Sequence, residues 1–176
     1  GPGPKEWADT GDALGRLGDP RPGVGLRPDG LPDIIWREIP ASPFLMGSDK
    51  GSDKLARDDE VPQHTVHLPA YSVGRYPITN AQYAAFVAEG GYDERRFWTD
   101  AGWQWKGKRT GPEIYGGAFD LPNHPVVGMN WYEAVAYCKW LTERLLQGGL
   151  LPDRWEVRLP SEAEWEKAAR GGLEIF

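Results

Sequence analysis

Asn130-Trp131-Tyr132-Glu133-Ala134-Val135-Ala136-Tyr137-Cys138 opens the longest helical pattern in the chain. Asn130 is a short polar residue of the kind that caps a helix, and Glu133 stands three residues on, where a carboxylate can reach back to the cap. Behind the cap, Trp131, Ala134, Val135, Cys138, Leu141 and Leu145 recur at the three- and four-residue steps of one helical face. Gly148-Gly149 then closes the run. An amphipathic helix between Asn130 and Gly148 is predicted, with Trp131, Val135, Cys138 and Leu141 on its buried face.

Two further start signals stand on either side. Thr79-Asn80-Ala81-Gln82 is a capping box, followed by Tyr83, Phe86 and Val87 on one face and a stop at Gly90-Gly91. Ser161-Glu162-Ala163-Glu164 is another, with Trp165, Ala168 and Ala169 on one face and Gly171-Gly172 at the end. Upstream the period changes. Ile34-Ile35-Trp36-Arg37-Glu38-Ile39 reads as a strand, Pro40 to Pro43 as a turn and Phe44-Leu45-Met46-Gly47 as a second strand, giving a hairpin. After a charged stretch from Ser48 to Glu60, Thr65-Val66-His67-Leu68 and Ala70-Tyr71-Ser72-Val73 alternate as one strand bent at Pro69. A long Gly- and aromatic-rich segment, Tyr92 to His124, is read as loop.

Residues 1–33 read differently. Trp7 to Leu17 forms one short helix, and Gly18-Asp19-Pro20-Arg21-Pro22-Gly23 stops it, because proline fixes φ and lacks a donor. The segment is expected to be a leader or the tail of a preceding module. The start at Gly1-Pro2 without Met reads as a trimmed or excised piece.

Composition agrees with little regular structure. In 176 residues there are 23 Gly and 16 Pro, and nine Trp supply the large rigid side chains that a loop-rich interior needs. The net charge of −6 comes with no dense Lys/Arg run, so nucleic acid and anionic membrane surfaces are not expected partners. No stretch approaches the roughly 18 apolar residues of a membrane span. One cysteine, Cys138, cannot make an internal disulfide, and a reducing, cytoplasmic location is expected.

Several motifs, in order, carry a resemblance. They are Ile39-Pro40-Ala41-Ser42-Pro43-Phe44-Leu45-Met46-Gly47-Ser48, Glu60-Val61-Pro62-Gln63-His64-Thr65-Val66 and Pro77-Ile78-Thr79-Asn80-Ala81-Gln82-Tyr83. Asn123-His124-Pro125-Val126-Val127, the Asn130 helix and Arg158-Leu159-Pro160-Ser161-Glu162-Ala163-Glu164-Trp165-Glu166 follow. Together they resemble the formylglycine-generating enzyme, or sulfatase-modifying-factor, family over residues 34–176. The resemblance implies an α+β, C-type-lectin-like fold, low in regular secondary structure and incomplete in this chain, with residues 34–176 as its N-terminal half. It also implies that the two copper-binding cysteines of the oxidases belong to a C-terminal half that follows. Cys138 matches a packed helix position of the family, not a catalytic one.

Cys138 lies on an apolar helix face with no His, Asp or Asn beside it in sequence to activate it, and reads as a core thiol. His64 and His67 fall on opposite faces of a strand, which is the wrong geometry for chelating one ion. The acids of the 48–60 loop lack an EF-hand order and read as solvated, and Glu164 is the capping-box partner. No catalytic residue, metal ligand or cofactor is therefore expected in this chain, with copper entering only if the whole protein is an oxidase. The aromatic stretch Phe97, Trp98, Trp103, Trp105, Tyr115 and Phe119 has two readings, core packing or a rim that contacts a protein or peptide ligand. For the second, Trp98, Trp103 and Trp105 are the candidate ligand-binding residues.

Three functions follow from the resemblance. The first is a non-catalytic, lectin-like binding domain of a larger bacterial protein, as in fusions to signalling modules or the variable proteins of diversity-generating retroelements. The leader Asp12-Ala13-Leu14-Gly15-Arg16-Leu17-Gly18-Asp19-Pro20-Arg21, similar to the end of a helical module in such fusions, favours it. The second is a copper-dependent oxidase converting a sulfatase cysteine to formylglycine. The third is an iron-dependent sulfoxide synthase of the ergothioneine type. In each case the C-terminal half of the domain is the expected structural partner. Without it, the strands are expected to leave edges unpaired.

Overall fold

The computed structural model describes Gly1 and residues 3–171, and its architecture mixes helices with small antiparallel sheets, an α+β arrangement. The chain forms two compact units. One comprises residues 1–35 and 75–159, the other residues 36–74 with the segment from Pro160.

The first unit is helical: α1 (Pro4–Leu17), α2 (Asn80–Ala88), α3 (Asp100–Lys106) and α4 (Trp131–Gln147). Its core is aromatic. Phe86 of α2 packs edge-on against Tyr137 (ring centres 5.9 Å apart) and tilted on Trp140 (5.7 Å) of α4, while Tyr83 stacks on Tyr137 at 5.3 Å. Leu141, Leu145, Tyr92, Phe97 and Trp98 complete the cluster. Burying a side chain of this size contributes roughly 1.5–3 kcal/mol. The polar atoms in this core are paired in series: Tyr83 and Tyr92 share a hydroxyl hydrogen bond of 3.0 Å, and Tyr92 donates to Glu133 Oε1 at 2.6 Å.

The expected caps form. Thr79 and Asn130 accept from the backbone N–H groups of Gln82 and Glu133, whose side chains reach back to the cap backbone. The buried face of α4 differs from the expectation at three positions. Trp131 is 60% exposed and Ala134 and Val135 are only half-buried, because Glu133, Ala136, Tyr137, Trp140 and Leu141 form the face turned to the core. Within the Tyr92–His124 segment read as loop, Asp100–Lys106 is helical, with Thr99 Oγ1 accepting from Gly102 N at 3.0 Å.

Residues 23–33 are pinned to the start of α2. Gln82 Nε2 donates to Gly23 O (3.2 Å) and Asp33 O (2.6 Å), and Thr79 Oγ1 donates to Val24 O (2.8 Å). Helix α1 starts at Pro4, a turn before the expected Trp7. It docks through Asn123, whose Nδ2 donates to Gly11 O (3.1 Å) and Asp19 Oδ2 (2.8 Å). Gly15 permits this approach, since a Cβ there would lie 2.3 Å from Asn123 Oδ1. The Arg21 hydrogen bond holds the Asp19 carboxyl far below the usual carboxylate range.

The second unit is a ribbon with one helix. β1 (Trp36–Ile39) pairs antiparallel with β4 (Tyr71–Gly74), and β2 (Ser42–Met46) pairs with β3 (His64–Leu68). Ile39 faces Tyr71 and Ser42 faces Leu68, so one register runs into the other across a bend. The expected 34–47 hairpin is thus corrected. Pro40-Ala41 supplies no left-handed position to reverse the chain, so both strands continue along one side of the ribbon and pair with 64–74. The expected bent strand at Pro69 is correspondingly two strands. Pro40 and Pro69 have no N–H for the ladder, and pairing lapses between them.

Helix α5 (Glu162–Arg170) satisfies what the bend leaves open. Lys167 Nζ donates to Pro40 O (2.8 Å) and Ser42 O (2.9 Å), and Tyr71 O–H donates to Glu164 O (2.6 Å). Glu166 accepts from Gly47 N (2.7 Å) and Arg170 donates to Gly47 O (2.8 Å). The helix therefore buries Glu164 and Lys167, while Trp165 is 65% exposed and Ala169 also faces outward, which corrects the apolar face expected there. Gly171 ends the helix in the left-handed region, and Gly172, its expected companion, lies outside the described residues.

Candidate functional site

The candidate site is a hollow of about 700 Å³ in the helical unit. Three pieces of chain wall it, and each is fixed by local chemistry. The first is the end of α3. Gly107 (φ +53°) breaks the helix, and Lys106 turns back so that its buried ammonium donates to Gly107 O (3.1 Å) and Arg109 O (3.4 Å). The same ammonium lies 4.6 Å from the centre of the Trp103 ring, a cation–π contact. The tight turn brings the Arg109 guanidinium over Trp105, 4.4 Å from its ring centre, and Arg109 Nη1 donates to Trp105 O at 3.0 Å.

The second wall is the extended run Gly111 to Tyr115, including Pro112 and Glu113. It is tied to the segment before α4 by a hydrogen bond from Glu113 N to Gly128 O (2.9 Å). Gly128 has φ +74°, and a Cβ there would sit 2.1 Å from Glu113 O. Only glycine lets the two walls meet this closely. The third wall is the start of α4, with Met129, Asn130 and Glu133. Glu133 is buried, and its oxygens accept from Tyr92 O–H (2.6 Å) and Asn130 N–H (2.8 Å). Burial above all holds the Tyr92 phenol far above its ordinary range, so at neutral pH it is a proton donor in this chain of bonds.

The candidate aromatic residues separate. Trp98 is in the core, its indole N–H donating to Gly91 O at 2.8 Å. Trp103 packs against the core, with Arg95 and Lys106 over its ring at 5.7 and 4.6 Å. Trp105 lines the hollow, backed by Tyr132 at 6.0 Å. Tyr115 also lines it, and Phe119 packs against Tyr115 at 6.2 Å. Sequence reasoning missed Arg109, Glu113, Gly128 and Glu133 as a set. A signal was present for Arg109: the run Lys106-Gly107-Lys108-Arg109 follows two tryptophans, with Arg109 four residues after Trp105.

The other candidates have local roles. Cys138 is buried on α4, and burial pushes its thiol up to about 11, so it stays protonated and unreactive at neutral pH. His64 and His67 lie exposed on β3, and His124 pairs with Asp12 at 3.3 Å. In the acidic loop, Lys50 pairs with Asp58. Among the described residues, no group of three or more His, Cys, Asp or Glu is placed to hold a metal ion. None of their helices is long and apolar enough to cross a membrane.

Comparison with known proteins gives a consistent family. Residues 29–175 match the model of the sulfatase-modifying factor enzyme 1-like domain. The chain is 36% identical over 168 residues to the hercynine oxygenase of Mycolicibacterium thermoresistibile, covering 87% of this chain and 34% of that protein. It is 36% identical over 166 residues to the formylglycine-generating enzyme of Thermomonospora curvata, covering 77% of this chain and 48% of that protein. The formylglycine-generating enzyme of Bos taurus is 29% identical over 166 residues. The chain thus spans about a third to a half of the length of these relatives.

Proposed function

The chain belongs to the sulfatase-modifying factor enzyme 1-like family, and from that premise we propose that it is the ligand-binding part of such a domain and carries no redox chemistry of its own. One observation carries this reading: Trp105, Arg109 and Tyr115 wall an open hollow, whereas the one thiol of the chain is sealed in the core. A copper(I) site selects soft thiolate donors. Cys138 is a single thiol, held protonated by burial, so the residues of this chain do not fit that metal.

On this proposal the complete domain is C-type-lectin-like, its C-terminal half pairs with the open ribbon of the second unit, and the protein acts in the cytoplasm on a protein or peptide ligand. A second reading is favoured by the relatives' names, oxygenase and formylglycine-generating enzyme. There the whole protein oxidises its substrate with groups outside this chain, as a copper-dependent oxidase of a sulfatase cysteine, and the hollow only seats that substrate.

The natural full-length protein decides between them. It is incubated aerobically with Cu(I), a thiol reductant and a Cys-x-Pro-x-Arg peptide, and separately with Fe(II), hercynine and a cysteine-type thiol as sulfur donor, and products are read by mass spectrometry. The binding reading expects neither substrate to be consumed. Conversion of the peptide cysteine to an aldehyde, or oxidation of hercynine, would replace it with the second.

A further inference from the structure

Arg109 is held at four points and neutralised at none. Its N–H donates to Lys106 O (2.9 Å), its carbonyl accepts from Lys106 Nζ (3.4 Å), its Nη1 donates to Trp105 O (3.0 Å) and its guanidinium rests on the Trp105 ring. Lys106 is itself buried, so the anchor is part of the fold. Yet among the described residues no carboxylate lies within ion-pair distance of the guanidinium. The chain has 26 acidic against 20 basic residues. Nearby Arg95 and Arg96 do find acids, Arg95 pairing with Asp100 and Arg96 with Glu94 and Glu143. Ordering an arginine side chain costs conformational entropy, and here the ordered cation points at a hollow and leaves Nε and Nη2 without a partner among the described residues.

The acids of the hollow do not fill that role. The oxygens of Glu133 are taken by Tyr92 and Asn130, and Glu113 stands exposed on the extended wall. Beside the guanidinium, Pro112, Tyr115 and Met129 offer aromatic and apolar surface.

We infer that Arg109 recognises a carboxylate attached to an aromatic or apolar body. The planar fork takes two carboxylate oxygens side by side, a geometry lysine does not reproduce. The body lies against Tyr115, Pro112 and Met129, and Glu113 repels a misplaced anion. The inference rests on the hollow being the ligand seat proposed above. An acidic side chain of a polypeptide and a free aromatic acid share this chemistry.

Calorimetry on the natural full-length protein separates the two sources. The probes are acetyl-Phe-Asp-Phe-amide and indole-3-acetate, with acetyl-Phe-Asn-Phe-amide and acetyl-Phe-Lys-Phe-amide as controls. The aspartyl peptide, the free acid or both should bind about tenfold tighter than the asparaginyl peptide, the scale of a charge-assisted bidentate contact. Arg109→Ala should erase that preference, Arg109→Lys should restore only part of it, and Glu113→Gln should tighten binding a few-fold by removing a like charge. Equal binding of the Asp and Asn peptides, a preference that survives Arg109→Ala, or no binding of any probe overturns the inference. Preferred binding of the lysyl peptide, weakened by Glu113→Gln, overturns it too while leaving the hollow a ligand seat. Because Glu113 is exposed, that variant remains informative if Arg109→Ala disturbs the loop.

Discussion

Helices α4 and α5 both start from a short polar cap that exchanges hydrogen bonds with a glutamate three residues on, Asn130 with Glu133 and Ser161 with Glu164. From there they diverge. α4 turns Ala136, Tyr137, Trp140 and Leu141 into an aromatic core and leaves Trp131 in solvent. α5 turns Glu164 and Lys167 inward and leaves Trp165 in solvent. The partner makes the difference. α4 meets α2, whose Tyr83 and Phe86 offer only ring surface and a hydroxyl. α5 meets a ribbon bent at Pro40 and Pro69, where the Lys167 ammonium donates to the carbonyls of Pro40 and Ser42 and is worth more than a methyl group. The cap marks where a helix begins, and the neighbouring surface selects which face it buries.

The comparison can be broken at four points. The largest effect is expected at Trp140, 1% exposed in the α4 core: Trp140→Ala should cost about 3–5 kcal/mol of unfolding free energy in urea. A loss below about 1 kcal/mol would mean that α4 does not hold the aromatic core. In the second unit, Lys167→Met keeps the aliphatic stem and removes the donor to two carbonyls, so a loss of about 1.5–3 kcal/mol is expected. If that variant is as stable as the parent, the polar face of α5 is incidental.

Alkaline titration probes the α4 core in another way. The Cys138 thiol is raised from 9.0 to about 11 by burial, so its contribution is fully present below pH 9 and is lost as pH rises towards 11. Two units correspond to about 2–3 kcal/mol. Cys138→Ser should flatten the stability–pH curve between about pH 9 and 10, above which the buried tyrosines Tyr83, Tyr92 and Tyr137, whose phenols ionise from an ordinary value of 10.0 in the unfolded chain, take over the fall. An unchanged curve would place the thiol in solvent. The smallest effect is expected at Trp165, where Ala should change stability by no more than about 0.5 kcal/mol, as at other surface sites. A larger loss would show that the outward face of α5 is covered in the natural protein.

Much of the fold was legible because its signals are local. The capping boxes, the glycine stops, the strand segments and the burial of Cys138 all follow from residues a few positions apart. The short helix α3 was missed because its seven residues carry one cap, at Thr99, and no full apolar repeat. The site was less legible still. Of Trp98, Trp103 and Trp105, the stretch looks uniform in sequence, yet their roles differ because Gly91 takes the Trp98 indole and two cations cover Trp103.

From sequence alone, the ordered motifs identify the family and, through it, the α+β class, and the positions at which helices start and stop follow from hydrogen bonds and periodicities within one turn. The tertiary structure decided the rest. It paired the strands across a proline bend instead of into a hairpin, turned the charged face of α5 inward, and brought Arg109, Glu113, Gly128 and Glu133 around one hollow. Those outcomes depend on which unsatisfied carbonyl, ring or cation stands opposite, often dozens of residues away, and no local pattern encodes what a side chain will face.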